Sequence, residues 1–187
     1  MLANTIFEDA VEKIFDVTKR FAGALEAAAI PYRVVGGLAV FVHVNGRDPM
    51  AARLTKDVDV AIDRNNLDAI RAALEPHGFA FRHVAGVDMF VDASNPNASA
   101  AVHLLFAGEQ VRSDDLEAVP FSLPEQSARG FFIAPVVDLV HMKLTSYRLK
   151  DQVHIQDLDH AGLITLEIEQ TLSAPLLARL KEIRSKR

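Results

Sequence analysis

The sequence predicts an α+β fold: a mixed β-sheet flanked by helices, with a helical C-terminal part. Three observations predict it. Apolar residues recur at helical spacing over residues 5 to 29 and again beyond Pro135. Between these stretches lie short runs rich in β-branched and aromatic residues, three of them close together from Phe79 to Phe106, a spacing that suits antiparallel neighbours. Half of the 187 residues are hydrophobic, enough for one core.

In chain order, Ile6, Ala10, Ile14, Val17, Phe21 and Leu25 mark an amphipathic helix that Pro31 closes. Tyr32 to Val35 is a short β-rich run ending at Gly36 and Gly37, and LAVFVHV after it suits helix or strand equally by propensity. Val58 to Ile62 reads as a strand. NNLDAIRAALEPHG reads as a helix, with Asn at its start and Pro-His-Gly at its end. Phe79 to Val84, Val87 to Val91 and Ala101 to Phe106 are further strands, with SNPN a turn before the last. Beyond residue 110 the chain turns polar and irregular. It recovers at Phe131 to Ile133, and Pro135 opens a helix that runs to about Leu149, after which the pattern stays helical. Without repeats or low-complexity stretches, residues 1-187 read as a single domain, with a core at about 30-110 and a C-terminal helical part at about 135-187.

Composition excludes several function classes. There is no Cys, hence no disulfide framework, thiolate metal site or cysteine nucleophile. MLANTIFEDAVEKIF lacks the basic start and apolar run of a signal peptide, and no stretch stays apolar long enough to span a bilayer, so the expectation is a cytoplasmic protein with no membrane partner. A formal net charge of -5 disfavours broad binding to nucleic acid and leaves room only for a local basic groove.

The chemistry concentrates in TKDVDVAI. Side chains alternate along a strand, so Asp57 and Asp59 share one face while Val58 and Val60 take the other. Two carboxylates held side by side repel and need either solvent, as on an exposed sheet edge, or a bound cation. Upstream, Gly36 and Gly37 lack the spacing of a Walker loop, and the third glycine of a dinucleotide-binding turn is missing.

Taken in order, Gly-Gly opening an element after a strand, then Arg53 and Thr55, then the Asp57 and Asp59 pair, the chain resembles the nucleotidyltransferase superfamily typified by DNA polymerase beta. More narrowly, VVGGLAVFVH, RLTKDVDVAI, AAVHLLFAG and APVVDLVHMKLTSYRLKDQVHIQDL look like the minimal bacterial nucleotidyltransferases grouped with abortive-infection toxins, over roughly residues 30 to 165. The resemblance implies a nucleotidyltransferase fold and metal-dependent transfer of a nucleoside monophosphate from an NTP, with release of pyrophosphate, onto an RNA end, a protein hydroxyl or a small molecule. It also implies a toxin-like role with an antitoxin partner. Asp57 and Asp59 would then be catalytic residues and ligands of a divalent metal, Mg²⁺ or Mn²⁺, with one carboxylate also taking the acceptor proton. Gly36, Gly37, Arg53, Thr55, Lys56 and Lys143 would bind the nucleotide.

The chain departs from the family at the third metal ligand, where the resemblance places His103 instead of a carboxylate. Imidazole suits Mn²⁺ or Zn²⁺ better than Mg²⁺. Asp88 and Asp92, on one face of a single strand, are alternative donors if that strand borders the aspartate pair. The rival function is a non-catalytic nucleotide-binding or interaction module with a degenerate metal site. Lys143 and Arg148 are read on the helix opened by Pro135, followed by Asp151, His154 and Asp157 at near-helical spacing. His43, His77, His83, His141 and His160 show no metal-like clustering, and the tail from Arg179 to Arg187 is a basic helix end able to touch RNA or simply solvated.

Overall fold

The fold follows from where the apolar faces meet. In a computed structural model that describes residues 2–53, 55, 57–93 and 101–186, the order is α1 (Leu2–Ala27), β1 (Tyr32–Val35), α2 (Gly36–Asn45), β2 (Val58–Ile62), α3 (Leu67–Leu74), β3 (Phe79–Val84), β4 (Val87–Asp92) and β5 (Val102–Phe106). Then come β6 (Glu125–Gln126), β7 (Phe132–Ile133), α4 (Val136–Ser146), α5 (Leu149–His160), α6 (Leu166–Thr171) and α7 (Ala174–Ser185). The expected SNPN turn and Lys56 lie outside the described residues.

Among the described residues the strands form one sheet in the order β3-β4-β5-β2-β1-β7-β6. β2 pairs parallel with β5 and β1 parallel with β7, and the other pairings are antiparallel, so the sheet is mixed. The strands β3 and β4 close through Ala85 and Gly86, both at positive φ, the two-residue hairpin turn whose twist matches that of the strands.

Register assigns the two faces. Val34, Val58, Val60, Val102, Leu104 and Phe90 share the buried face, where Phe21 of α1 meets Phe79 and Phe90 with ring centroids 5.7 and 5.8 Å apart. On the opposite face Val35, Asp59, His103 and Met89 form one row across β1, β2, β5 and β4. Because β2 is the central strand, the carboxylates do not sit on an exposed sheet edge. Alternation turns Asp88 and Asp92 away from that row, and β5 stands between β4 and β2, so neither can complete a site with Asp57 and Asp59. Asp92 instead pairs with Arg20 of α1, and Asp88 accepts a bond from His83 Nδ1 at 2.6 Å.

LAVFVHV is helical, because β1 hands directly into α2 at Gly36 and the apolar run is buried as a helix. The helix expected from Pro135 to about Leu149 is two. α4 ends at Ser146, Tyr147 takes the left-handed conformation at φ 49, and Arg148 caps the start of α5, so Arg148 does not share a helix with Lys143. The cause lies far along the chain. Arg179 of α7 stacks over the Tyr147 ring, 4.7 Å from its centroid, and its Nη1 donates to the Leu144 and Thr145 carbonyls at 2.6 and 2.8 Å, satisfying groups left free where the helix stops. The basic tail is thereby accounted for in part: Arg184 likewise pairs with Asp159 and Glu169.

Candidate active site

The junction of β1 and α2 shapes the site. Gly36 has φ +67, a conformation that side chains resist, and a Cβ there would stand 2.0 Å from Asp59 Oδ2. Only glycine lets the Asp59 carboxylate seat against the N-terminal end of α2, where free backbone N–H groups favour negative charge. A Cβ on Gly37 would meet Thr55 Oγ1 at 2.9 Å and His154 Cε1 at 3.3 Å. Two neighbouring glycines thus bring β2, the segment before it and α5 onto one helix end.

A cleft of about 270 Å³ opens here, lined by Gly37, Asp57, Asp59, His103, Lys143, Arg148 and Lys150. Asp57 lies just ahead of β2, half exposed, with its carboxylate 3.4 Å from Lys150 Nζ; Asp59, on the strand, is 3.4 Å from His103 Nδ1. The bond to Asp59 holds the His103 imidazole above its ordinary value of 6.5, against the effect of burial. Thr55 is buried and accepts the Asp57 backbone N–H at 3.3 Å, which orients that residue without facing the cleft. Arg53 is exposed and bonds Asp157 Oδ1 at 3.2 Å, so it is not brought to the cleft wall.

The cationic side is built around Asp151, which is fully buried. Its oxygens accept from Lys143 Nζ at 2.9 Å, Ser146 Oγ at 2.7 Å and Arg148 Nε at 2.8 Å. Burial alone would raise the Asp151 pKa, but Lys143, Arg148 and Ser146 outweigh it and hold the carboxyl far below its ordinary range. Behind Gly37, His154 is shut from solvent and its Nδ1 has no partner among the described residues; burial, with Lys143 adding to it, pushes its pKa down to about 4.

Among the described residues no three acidic or histidine side chains converge as a metal cage. Asp57 and Asp59 line one cleft as two oxygen donors, which would suit a hard cation such as Mg²⁺ that draws its other ligands from water and phosphate. His103 is in register with Asp59 on the adjacent strand, but its Nδ1 is turned to the carboxylate. Lys150 is the lining residue that sequence reasoning did not single out. One more basic residue in RLKD carries no distinguishing signal, because its partner Asp57 is 93 positions away. A wider groove of about 450 Å³ between α3 and β3, with Arg71, Phe79 and Phe81 in its wall, brings no such set of polar groups together.

No family model matches the chain, and no curated protein does. Solved structures are similar over nearly its whole length. An antigenic nucleotidyltransferase-like protein from Paracoccidioides brasiliensis matches with a TM-score of 0.61 at 18% identity, covering 94% of this chain and 89% of that one. The antibiotic-resistance factor ANT(2'')-Ia matches in its solution structure with a TM-score of 0.55 at 13% identity, covering 92% and 91%. In its crystal structure with adenylyl-2''-tobramycin it matches with a TM-score of 0.52 at 11% identity, covering 92% and 97%.

Proposed function

From the premise that the chain has the nucleotidyltransferase fold, we propose that this cleft binds an NTP and transfers its nucleoside monophosphate to an acceptor hydroxyl. The observation that carries the reading is the seating of Asp59 against Gly36 at the α2 N-terminus, facing a wall of lysine and arginine. Gly36 and Gly37 let phosphate oxygens approach backbone N–H groups. Lys143 and Arg148, aimed by Asp151, and Lys150 hold the remaining phosphate charge. Asp57 and Asp59 would hold a divalent cation, Mg²⁺ or Mn²⁺, which when bound neutralises charge on the phosphates. The acceptor oxygen bonds to the α-phosphorus, the bond to pyrophosphate breaks, and the acceptor proton leaves to a carboxylate of the pair. Alignment accounts for most of such catalysis, so the cleft needs few reactive side chains. The acceptor is an RNA end, a protein hydroxyl or a small molecule; the small-molecule case is supported by ANT(2'')-Ia, which has the fold and was crystallised in complex with adenylyl-2''-tobramycin.

The test is calorimetry of NTP binding with Mg²⁺, Mn²⁺ or EDTA. Wild type is expected to bind only with metal and Asp57→Asn/Asp59→Asn not at all; equal affinity of the two proteins removes the reading.

His103 beside Asp59 favours a second reading, a nucleotide-binding module whose metal site has degenerated. His103→Asp separates the two. Substitution is expected to tighten Mg²⁺ binding at least about tenfold, or about 1.4 kcal/mol, by adding an oxygen donor and a charge. Labelled-NTP transfer by wild type with Mn²⁺ marks an enzyme with an altered site, whereas transfer only by His103→Asp marks the degenerate module.

A further inference from the structure

Each carboxylate of the pair already has a cationic or proton-bearing neighbour from elsewhere in the chain, and the two are held differently. Asp59 is clamped: one oxygen packs on Gly36 and the other faces His103 on the adjacent strand. Asp57 precedes the strand and is half exposed, and its ion-pair partner among the described residues is the end of a flexible side chain, Lys150 Nζ at 3.4 Å, itself more than half exposed. Lys150 has no other ion-pair partner among the described residues, unlike Lys143 and Arg148, which Asp151 holds. The cleft therefore contains one fixed and one exchangeable counter-ion arrangement.

We propose that Lys150 is the resident counter-ion of Asp57, displaced when a divalent cation binds, and that the released ammonium then takes a phosphate oxygen of the nucleotide. Both halves rest on the nucleotidyltransferase reading above, the first on its metal at Asp57 and Asp59 and the second on its nucleotide. An ammonium and a divalent cation cannot share the same carboxylate oxygens without strong repulsion, so their occupancies exclude each other. The exchange is feasible because a solvated ion pair of this kind is worth at most about 1 kcal/mol. The lysine stem spans several rotatable bonds, so Nζ swings from Asp57 into the same cleft while its backbone stays fixed in the first turn of α5. The consequence is order: an empty cleft keeps its own charge neutralised, and metal arrival unmasks a phosphate-binding cation.

The experiment is a Mn²⁺ titration followed by electron paramagnetic resonance, without nucleotide, on wild type, Lys150→Met, Asp57→Asn and the double variant. Lys150→Met is expected to bind Mn²⁺ up to about fivefold tighter than wild type, the factor for no longer having to break a solvated ion pair of this kind. Asp57→Asn and the double variant are expected to match each other. Equal Mn²⁺ affinity of wild type and Lys150→Met, or the same gain on the Asp57→Asn background, overturns the exchange, the latter marking a general charge effect. If neither wild type nor Lys150→Met binds Mn²⁺ through Asp57, the metal reading itself fails with it. With Mn²⁺ saturating, inorganic triphosphate is the second probe: Lys150→Met is expected to bind it about fivefold more weakly. Unchanged triphosphate affinity overturns the phosphate half and leaves the displacement standing.

Discussion

At Gly36 two constraints coincide in one residue. Its φ of +67 and the 2.0 Å approach of Asp59 to a would-be Cβ are separate penalties, and Gly36→Ala incurs both. The left-handed backbone alone costs about 1–2 kcal/mol for alanine. Displacing Asp59 adds to it, so Gly36→Ala is expected to lower stability by at least about 2 kcal/mol in urea unfolding. Combining it with Asp59→Ala relieves the side-chain clash, and the double variant is expected to be less destabilised than the two single changes predict together. Strict additivity would show that the two groups do not touch. The glycine pair and the Asp-x-Asp spacing were visible in the sequence; that Gly36 bears on Asp59 and Gly37 on Thr55 and His154 was not, since nothing local distinguishes them.

Elements were legible where their limits are set locally. Gly78 in the left-handed region closes the turn after α3, and the Ala85–Gly86 hairpin sits where strand signals pause. The break between α4 and α5 is different. SYRL contains neither Gly nor Pro, and the helix stops because Arg179, 32 residues beyond Tyr147, supplies the cap. Arg179→Met keeps the aliphatic stem and removes two charged hydrogen bonds. It is expected to lower stability by about 2 kcal/mol, read as a lower urea midpoint at an unchanged m-value, and to weaken NTP binding because Lys143 and Arg148 stand on either side of the break. A loss of stability with unchanged NTP affinity would show that the break does not set the spacing of the two cations.

Across the whole molecule, acid and base meet at the seam between sheet and helices, and pH acts on stability there. His154 faces Lys143, Lys150 and Arg148, with Asp151 opposing them, and its pKa falls from 6.5 to about 4 on folding. The unfolded chain therefore takes up a proton first as pH falls. Stability from the buried neutral imidazole is complete above 6.5 and is lost on the way down to about 4, a change of about 3 kcal/mol. Asp151, depressed below its ordinary 3.8, contributes stability present above that value and lost only in stronger acid. Urea unfolding between pH 7 and 4 is expected to show the first slope in wild type and a much flattened one in His154→Gln; identical slopes would exclude His154 as its source.

By itself the sequence determined α1, α3, the strands β1 to β5 and the pairing of Gly-Gly with Asp-x-Asp, because hydrophobic period, strand alternation and backbone permissiveness act over a few residues. Tertiary structure decided which charges share the cleft. Strand order placed β5 between Asp88 and the aspartate pair, parallel register set His103 beside Asp59, and the α4–α5 break brought Lys150 to Asp57. Side-chain charges act through space over a few ångströms, and only the completed fold says which of them are that close.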